Sequence, residues 1–211
     1  MTIKGFLYRT LIALALPVMG MGASSCSENE EAGEYDNWQT RNQHYVDSIA
    51  NLAQNGTDGW TKILGYRHVS TEESPDLNSN HYVYIQKNSN GAGTKKPEYN
   101  DSVRVHYFGR LIPSGSYKNG FNFGKSYSSN TFNEATDVPT LMAVNANVDG
   151  FATALMNMME GDDWTIVIPY HLGYGTSAYG SAQIPGYSTL IFNVKLARIY
   201  KYRKDTDTTW H

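Results

Sequence analysis

From Asp149 the chain reads DGFATALMNMMEGDDWTIVIPYHLGYG to Gly175, and from Ile184 it reads IPGYSTLIFNVKL to Leu196. In the first part Phe151, Ala154, Leu155, Met158 and Met159 fall at i, i+3, i+4, i+7 and i+8, one apolar face at helical spacing. The pattern predicts a helix over 149–160, with Asp149 as N-cap and Gly161 just past its end. Trp164, Ile166 and Ile168 then alternate with Thr165 and Val167 in a predicted strand that stops at Pro169. A Gly-, Tyr- and Ser-rich loop, Tyr170 to Tyr187, leads to a second strand, Leu190–Leu196. Helix, strands and aromatic loop together form one wall of a pocket.

Outward from this stretch the pattern weakens but stays readable. Val103, Val105 and Tyr107 alternate with Arg104 and His106 in a strand ending near Gly109, and Leu141–Val144 is a short strand leading into the helix. Between them, 111–139 is long, irregular and rich in Gly and aromatics, the form of a functional loop. Upstream, Trp60–Leu64 and Tyr82–Lys87 read as short strands separated by a polar run, with a loop at 88–96. Asn37–Asn55 reads as a helix with Trp38, Tyr45, Ile49, Leu52 and Ala53 on one face, ended by Asn55-Gly56 and packed on its own domain.

At 211 residues the chain suits one domain with appendages, and a hydrophobic content of 40 % is enough for a core. The net charge of −3 and pI near 6.0 provide no basic field, which excludes nucleic acid as an expected partner. Sixteen of the aromatic residues are Tyr, flat apolar bodies with a polar tip. The single cysteine, Cys26, excludes an intrachain disulfide.

Residues 1–26 read as a processing segment. Lys4 and Arg9 precede an apolar run, Leu11–Met21, and Ala23-Ser24-Ser25 lead to Cys26. The run is shorter than the roughly 20 residues that a spanning helix needs. The segment resembles a bacterial lipoprotein signal, which implies acylation of Cys26 and a membrane anchor that does not span. The acidic stretch 27–36, SENEEAGEYD, reads as a tether. It resembles the export signal of surface lipoproteins in Bacteroidetes and is equally compatible with a generic linker. The expected location is the cell envelope, lipid-anchored at the outer membrane on its periplasmic or surface face. The tail 201–211 is polar.

Conventional catalytic chemistry finds no support. The chain has no Gly-x-Ser-x-Gly elbow, no Walker loop and no cysteine nucleophile beyond Cys26. His44, His68, His81, His106, His171 and His211 show no ligand spacing, so no metal and no cofactor are expected. Asp162-Asp163 is expected to point apart into solvent rather than act as an acid–base pair.

The blocks VHYFGRLI at 105–112, Phe123 with Ser126-Tyr127, VDGFATALMNMMEGDDW at 148–164, IPYHLGYG at 168–175 and IPGYSTLIFNVKL at 184–196 occur in one order. Over roughly 98–200 that ordered set resembles the FKBP-type peptidyl-prolyl cis-trans isomerases. The resemblance implies an α+β fold, a twisted antiparallel sheet wrapped around one helix. Residues 37–97 would then be an N-terminal extension of helix and short strands.

Carried over by position, Tyr107 lines the pocket wall, Phe123 stands on the irregular loop and Phe151 forms the floor, where the family most often has Trp. Val148 offers its N–H and Tyr174 its hydroxyl to substrate carbonyls, Ile184 caps the pocket and Phe192 lies deep on the last strand. The partners implied are proline-containing peptides or unfolded proteins. The chemistry implied needs no nucleophile: rotation about X–Pro faces about 18–20 kcal/mol of amide resonance, and a dry aromatic pocket favours the twisted amide.

The chain departs from the family where Phe123 is followed by Gly124 instead of Asp, and the loop before it, PSGSYKNGFNF, is longer. Asn122 or Lys125 could partly replace the missing acid, and reduced activity is expected. The alternatives are a non-catalytic peptide-binding chaperone or an adaptor lipoprotein of a surface complex.

Overall fold

The computed structural model describes residues 33–68, 77–129 and 131–202. The signal segment, Cys26 and most of the acidic stretch lie outside the described residues. No helix among the described residues is long and apolar enough to cross a membrane.

Among the described residues seven strands form one sheet: β1 (Trp60–Leu64), β2 (Tyr82–Ser89), β3 (Ser102–Arg110), β4 (Asn122–Lys125), β5 (Thr140–Ala143), β6 (Asp163–Ile168) and β7 (Leu190–Tyr200). Their order is β1-β2-β6-β7-β3-β4, with β5 also paired to β3, and every pairing is antiparallel. The strands foreseen at 103–109, 141–144, 164–168 and 190–196 are all present. β4 lies inside the stretch expected to be irregular. Four residues with a bulge opposite Gly109 and Arg110 leave no alternation to read. The upstream strands belong to the same sheet, because Tyr84 pairs with Val167 and Ile85 with Ile166. The described residues form one compact unit.

Helix α1 (Trp38–Asn55) ends at Gly56, whose φ of 62° is the left-handed value that glycine adopts at least cost. Its buried positions are Trp38, Asn42, Val46 and Ile49, while Tyr45, Leu52 and Ala53 pack at the margin of the core. Asn42 explains the difference. Its Oδ1 accepts from Thr189 N–H at 2.7 Å and its Nδ2 donates to Trp38 O at 2.7 Å, so a polar side chain is fully buried with its groups paired. Trp38 Nε1 donates to Ser188 Oγ at 2.8 Å. These bonds lock α1 to the lead-in of β7, so the helix packs on its own domain.

Helix α2 (Asp149–Leu155) is shorter than its periodicity implied. Every residue from Gly150 to Leu155 is buried, so it is sealed on all sides rather than amphipathic. Val148, not Asp149, is the N-cap, because the Asp149 carboxylate accepts from Tyr66 Oη at 3.2 Å and pairs with Arg67 Nε at 3.0 Å. Beyond Leu155 the backbone turns away from the helix. Asp162, only 4 % exposed, accepts Met159 N–H at 2.9 Å and Gly91 N–H at 2.7 Å, and Gly161 takes φ 90°. The expectation that Asp162 points into solvent is therefore corrected: its carboxylate folds the turn and holds the 91–93 loop against it.

Candidate active site

β3 alternates its side chains across the sheet, so Val103, Val105 and Tyr107 face α2 while His106 and Phe108 face away. On the α2 side the sheet, the helix and two loops enclose an open cavity of about 290 Å³. Tyr107 enters from β3, Phe123 from β4, Val148 and Phe151 from the start of α2, Tyr174 from the loop 170–187 and Phe192 from β7. Six of the seven residues singled out from the sequence thus converge on one cavity.

Ile184 does not join them. It is 1 % exposed, a core residue, and it meets the cavity only indirectly by pairing its backbone with Tyr179. Its place on a loop concealed how deeply the loop's end returns to the core. Met142, Ala146, Asn147, Gly124 and Tyr179 complete the lining. Of these, Tyr179 carried a usable signal, the one aromatic residue in the run 175–182, GTSAYGSA, whose other residues are Gly, Thr, Ser and Ala.

The floor is a cluster of rings around Phe192. Its centroid lies 4.7 Å from Phe151, 5.3 Å from Phe123 at 83°, and 6.5 Å from Tyr107. These edge and tilted contacts suit the ring quadrupoles. Gly109 on β3 makes the cluster possible, since a Cβ there would lie 2.5 Å from the Phe123 ring and 2.8 Å from that of Phe192.

At the entrance to α2, Asn147 Nδ2 donates to Ala143 O at 2.7 Å and fixes the turn that presents Val148. Among the described residues no protein acceptor takes the Val148 N–H, which leaves it free to bind a ligand carbonyl.

Among the described residues no charged side chain lines the cavity. Its polar groups are tyrosine hydroxyls, the Asn147 amide and backbone. Burial, aided by neighbouring Tyr179 and Tyr107, pushes the Tyr174 phenol above its ordinary value, so at neutral pH it is a protonated donor. The two candidates for replacing the missing acid are committed elsewhere. Asn122 Nδ2 donates to Gly109 O at 3.0 Å across the bulge, and Lys125 Nζ donates to Ser129 O at 2.7 Å. The position itself is open, for a Cβ on Gly124 would sit 3.6 Å from the Tyr107 ring and 3.8 Å from its hydroxyl.

On the opposite face of β3 lies a smaller cavity of about 90 Å³, under the segment after β4. His106 is buried there against Phe132, ring centroids 4.8 Å apart, and its Nδ1 has no hydrogen-bond partner among the described residues. The segment is tied down by the Glu134–Lys195 pair at 2.5 Å and, through Ser126, to the backbone of Tyr107. The histidines, dispersed in sequence, also meet in part: His68 and His81 rings lie 4.8 Å apart, with His171 6.4 Å beyond His81.

Comparison with known proteins agrees with this geometry. The family model described as FKBP-type peptidyl-prolyl cis-trans isomerase matches residues 93–197. A macrophage infectivity potentiator from Trypanosoma cruzi is 35 % identical over 117 residues, covering 56 % of this chain and 53 % of that protein. The FKBP-type 22 kDa peptidyl-prolyl cis-trans isomerase of Escherichia coli (strain K12) is 35 % identical over 103 residues, 49 % of this chain and 43 % of its own. The chain thus spans about half the length of these two relatives. It covers 81 % of FK506-binding protein 2 from Aspergillus oryzae, at 32 % identity over 123 residues and 57 % of this chain. The crystal structure of FkpA from Escherichia coli shares the fold, with a TM-score of 0.52 at 24 % identity over 78 % of this chain and 60 % of that one. With its ordered motifs, its sheet wrapped on α2 and its aromatic cavity, the chain belongs to the FKBP-type peptidyl-prolyl cis-trans isomerase family.

Proposed function

We propose that this protein catalyses cis–trans isomerisation of X–Pro bonds in polypeptides of the cell envelope or in secreted proteins, at a rate reduced by Gly124. The observation that carries this reading is the convergence of Tyr107, Phe123, Val148, Phe151, Tyr174 and Phe192 on one open cavity without charge. A planar amide places partial negative charge on its oxygen, which water stabilises. Moving the X–Pro amide into a cavity of rings removes that water and favours the twisted, less conjugated state. The proline ring sits on Phe151 and Phe192, while the Val148 N–H and the Tyr174 hydroxyl hold carbonyls on either side of the rotating bond. No proton is transferred, which accords with a lining free of acids and bases. Uncatalysed isomerisation takes tens of seconds or longer, slow enough to limit folding.

A protease-coupled assay on Xaa-Pro peptides tests the proposal. Tyr174→Phe removes one neutral hydrogen bond, worth about 0.5–1.5 kcal/mol, and should lower kcat/KM by about two- to tenfold. A wild-type rate at background, with no change on substitution, would sink it. A second reading, a peptide-binding chaperone without catalysis, is favoured by the absence of an acid at Gly124. It predicts suppression of aggregation that survives Tyr174→Phe. Anchoring through Cys26 to the outer membrane belongs to the same proposal and is supported by Lys4, Arg9, the apolar run and the small residues before Cys26. Cys26→Ser should release the protein from the membrane fraction; retention there would refute the anchor.

A further inference from the structure

Tyr174 is 37 % exposed and stands on a loop, so packing against the core does not by itself hold its ring in one rotamer. A donor that must meet a substrate carbonyl needs its position held within about half an ångström. The loop supplies the restraint in another way. Tyr179 lies flat against Tyr174, ring centroids 4.3 Å apart and planes 11° apart, and both rings border the cavity. Tyr179 is itself fixed by a two-bond bridge to Ile184: Tyr179 N–H donates to Ile184 O at 2.8 Å, and Ile184 N–H to Tyr179 O at 3.2 Å. Ile184 in turn is a fully buried side chain. The loop base is closed as well, with Tyr187 N–H donating to Gly175 O and Gly175 N–H to Tyr170 O, both at 2.9 Å. A continuous chain of contacts therefore runs from the core through Ile184 and Tyr179 to the Tyr174 ring.

We propose that Tyr179 is a positioning residue for Tyr174: its stacked ring, anchored by Ile184, holds the Tyr174 hydroxyl over the cavity in the orientation that meets a substrate carbonyl. This rests on the cavity being the isomerase site. Ile184, expected to cap the pocket, acts one step further back, as the core anchor of the residue that does. Without the stack, Tyr174 distributes among about three staggered wells and loses the favourable contact of the rings. Together these lower the productive population by about three- to tenfold.

The test compares Tyr179→Ala, Tyr179→Phe, Tyr174→Phe and the double variant Tyr174→Phe/Tyr179→Ala in the peptide assay, with thermal melting to verify folding. Tyr179→Ala should lower kcat/KM about three- to tenfold, and Tyr179→Phe, which keeps the ring, should recover most of that loss. In the Tyr174→Phe background the Ala substitution should cost nothing further, because the hydroxyl that it would misplace is already gone. A second readout does not depend on turnover. Carbon-13 NMR of the Tyr174 ring should show its phenol titration moving back toward the ordinary tyrosine value further in Tyr179→Ala, which uncovers the ring, than in Tyr179→Phe, which removes only the charge of the neighbouring phenol. A full loss that persists in the Tyr174→Phe background would assign Tyr179 to direct substrate contact and overturn the proposal. So would a Tyr174 titration that moves no further in Tyr179→Ala than in Tyr179→Phe. If the wild type isomerises no peptide, the isomerase reading fails by itself, and the NMR titration alone decides whether Tyr179 positions Tyr174.

Discussion

Replacing Gly124 with Asp asks whether this cavity lacks one polar wall. Gly124 lies on β4 opposite Gly109, and its φ is not in the positive region, so an L-residue fits the backbone. The added Cβ would meet the Tyr107 ring at 3.6 Å and its hydroxyl at 3.8 Å, ordinary van der Waals separations. Two further bonds, Cβ–Cγ and Cγ–Oδ, bring a carboxylate oxygen within hydrogen-bond reach of that hydroxyl. Such a charge-assisted bond is worth about 1.5–3 kcal/mol, and the desolvation of a carboxylate at the cavity wall takes back a large part. A net stabilisation of about 1 kcal/mol in the twisted-amide state corresponds to a rise in kcat/KM of about fivefold.

The assay is the protease-coupled rate on one Xaa-Pro peptide, with Gly124→Ala and Gly124→Asn as controls for volume and for uncharged polarity. The gain requires the ionised carboxylate, so it is present at pH 7 and disappears as pH falls through the titration of the introduced acid. The reasoning is refuted if Gly124→Asp folds, binds the same peptide and yet accelerates nothing. An equal rise in Gly124→Ala would also refute it, since shape and not charge would then be limiting.

Two further outcomes concern the frame. Asn42→Ala strands the buried Thr189 N–H and removes one of the bonds that tie α1 to the lead-in of β7, so chemical denaturation should show a loss of about 1–3 kcal/mol, whereas Asn42→Asp, which keeps an acceptor, loses less. His106 is held below its ordinary value of 6.5 by burial, with Glu134 and Asp137 opposing that shift and Lys195 reinforcing it. Stability from the neutral ring is complete above pH 6.5 and is lost as pH falls toward the lower folded-state value, so Tm should drop between pH 7 and pH 5; His106→Phe should flatten that slope.

Local chemistry was enough for much of this molecule. Trp60–Leu64 reads as a short strand run between Gly59 and Gly65, and the structure places β1 at those residues. Gly56 marks the end of α1 because a left-handed residue is needed there, a property of one position and its neighbours. The ring-bearing positions Tyr107, Phe123, Phe151 and Phe192 were legible because their type and order carry the family's pocket.

Contacts between distant segments decided the rest. α2 stops at Leu155 because the Asp162 carboxylate and the 91–93 loop claim the following turn, although the apolar spacing continues to Met159. Asn42 is in the core because Thr189, 147 positions away, supplies the donor that its acceptor needs. Ile184 is anchor rather than cap, and the partly exposed Tyr179 borders the cavity, because the hairpin that ends the loop folds one inward and the other over Tyr174. Periodicity reports only which side chains share a face. What that face meets is set by strand pairing and long-range hydrogen bonds, so the amino-acid sequence determined the sheet, the helices and the aromatic stock of the cavity, and tertiary structure decided which residues hold the reacting groups in place.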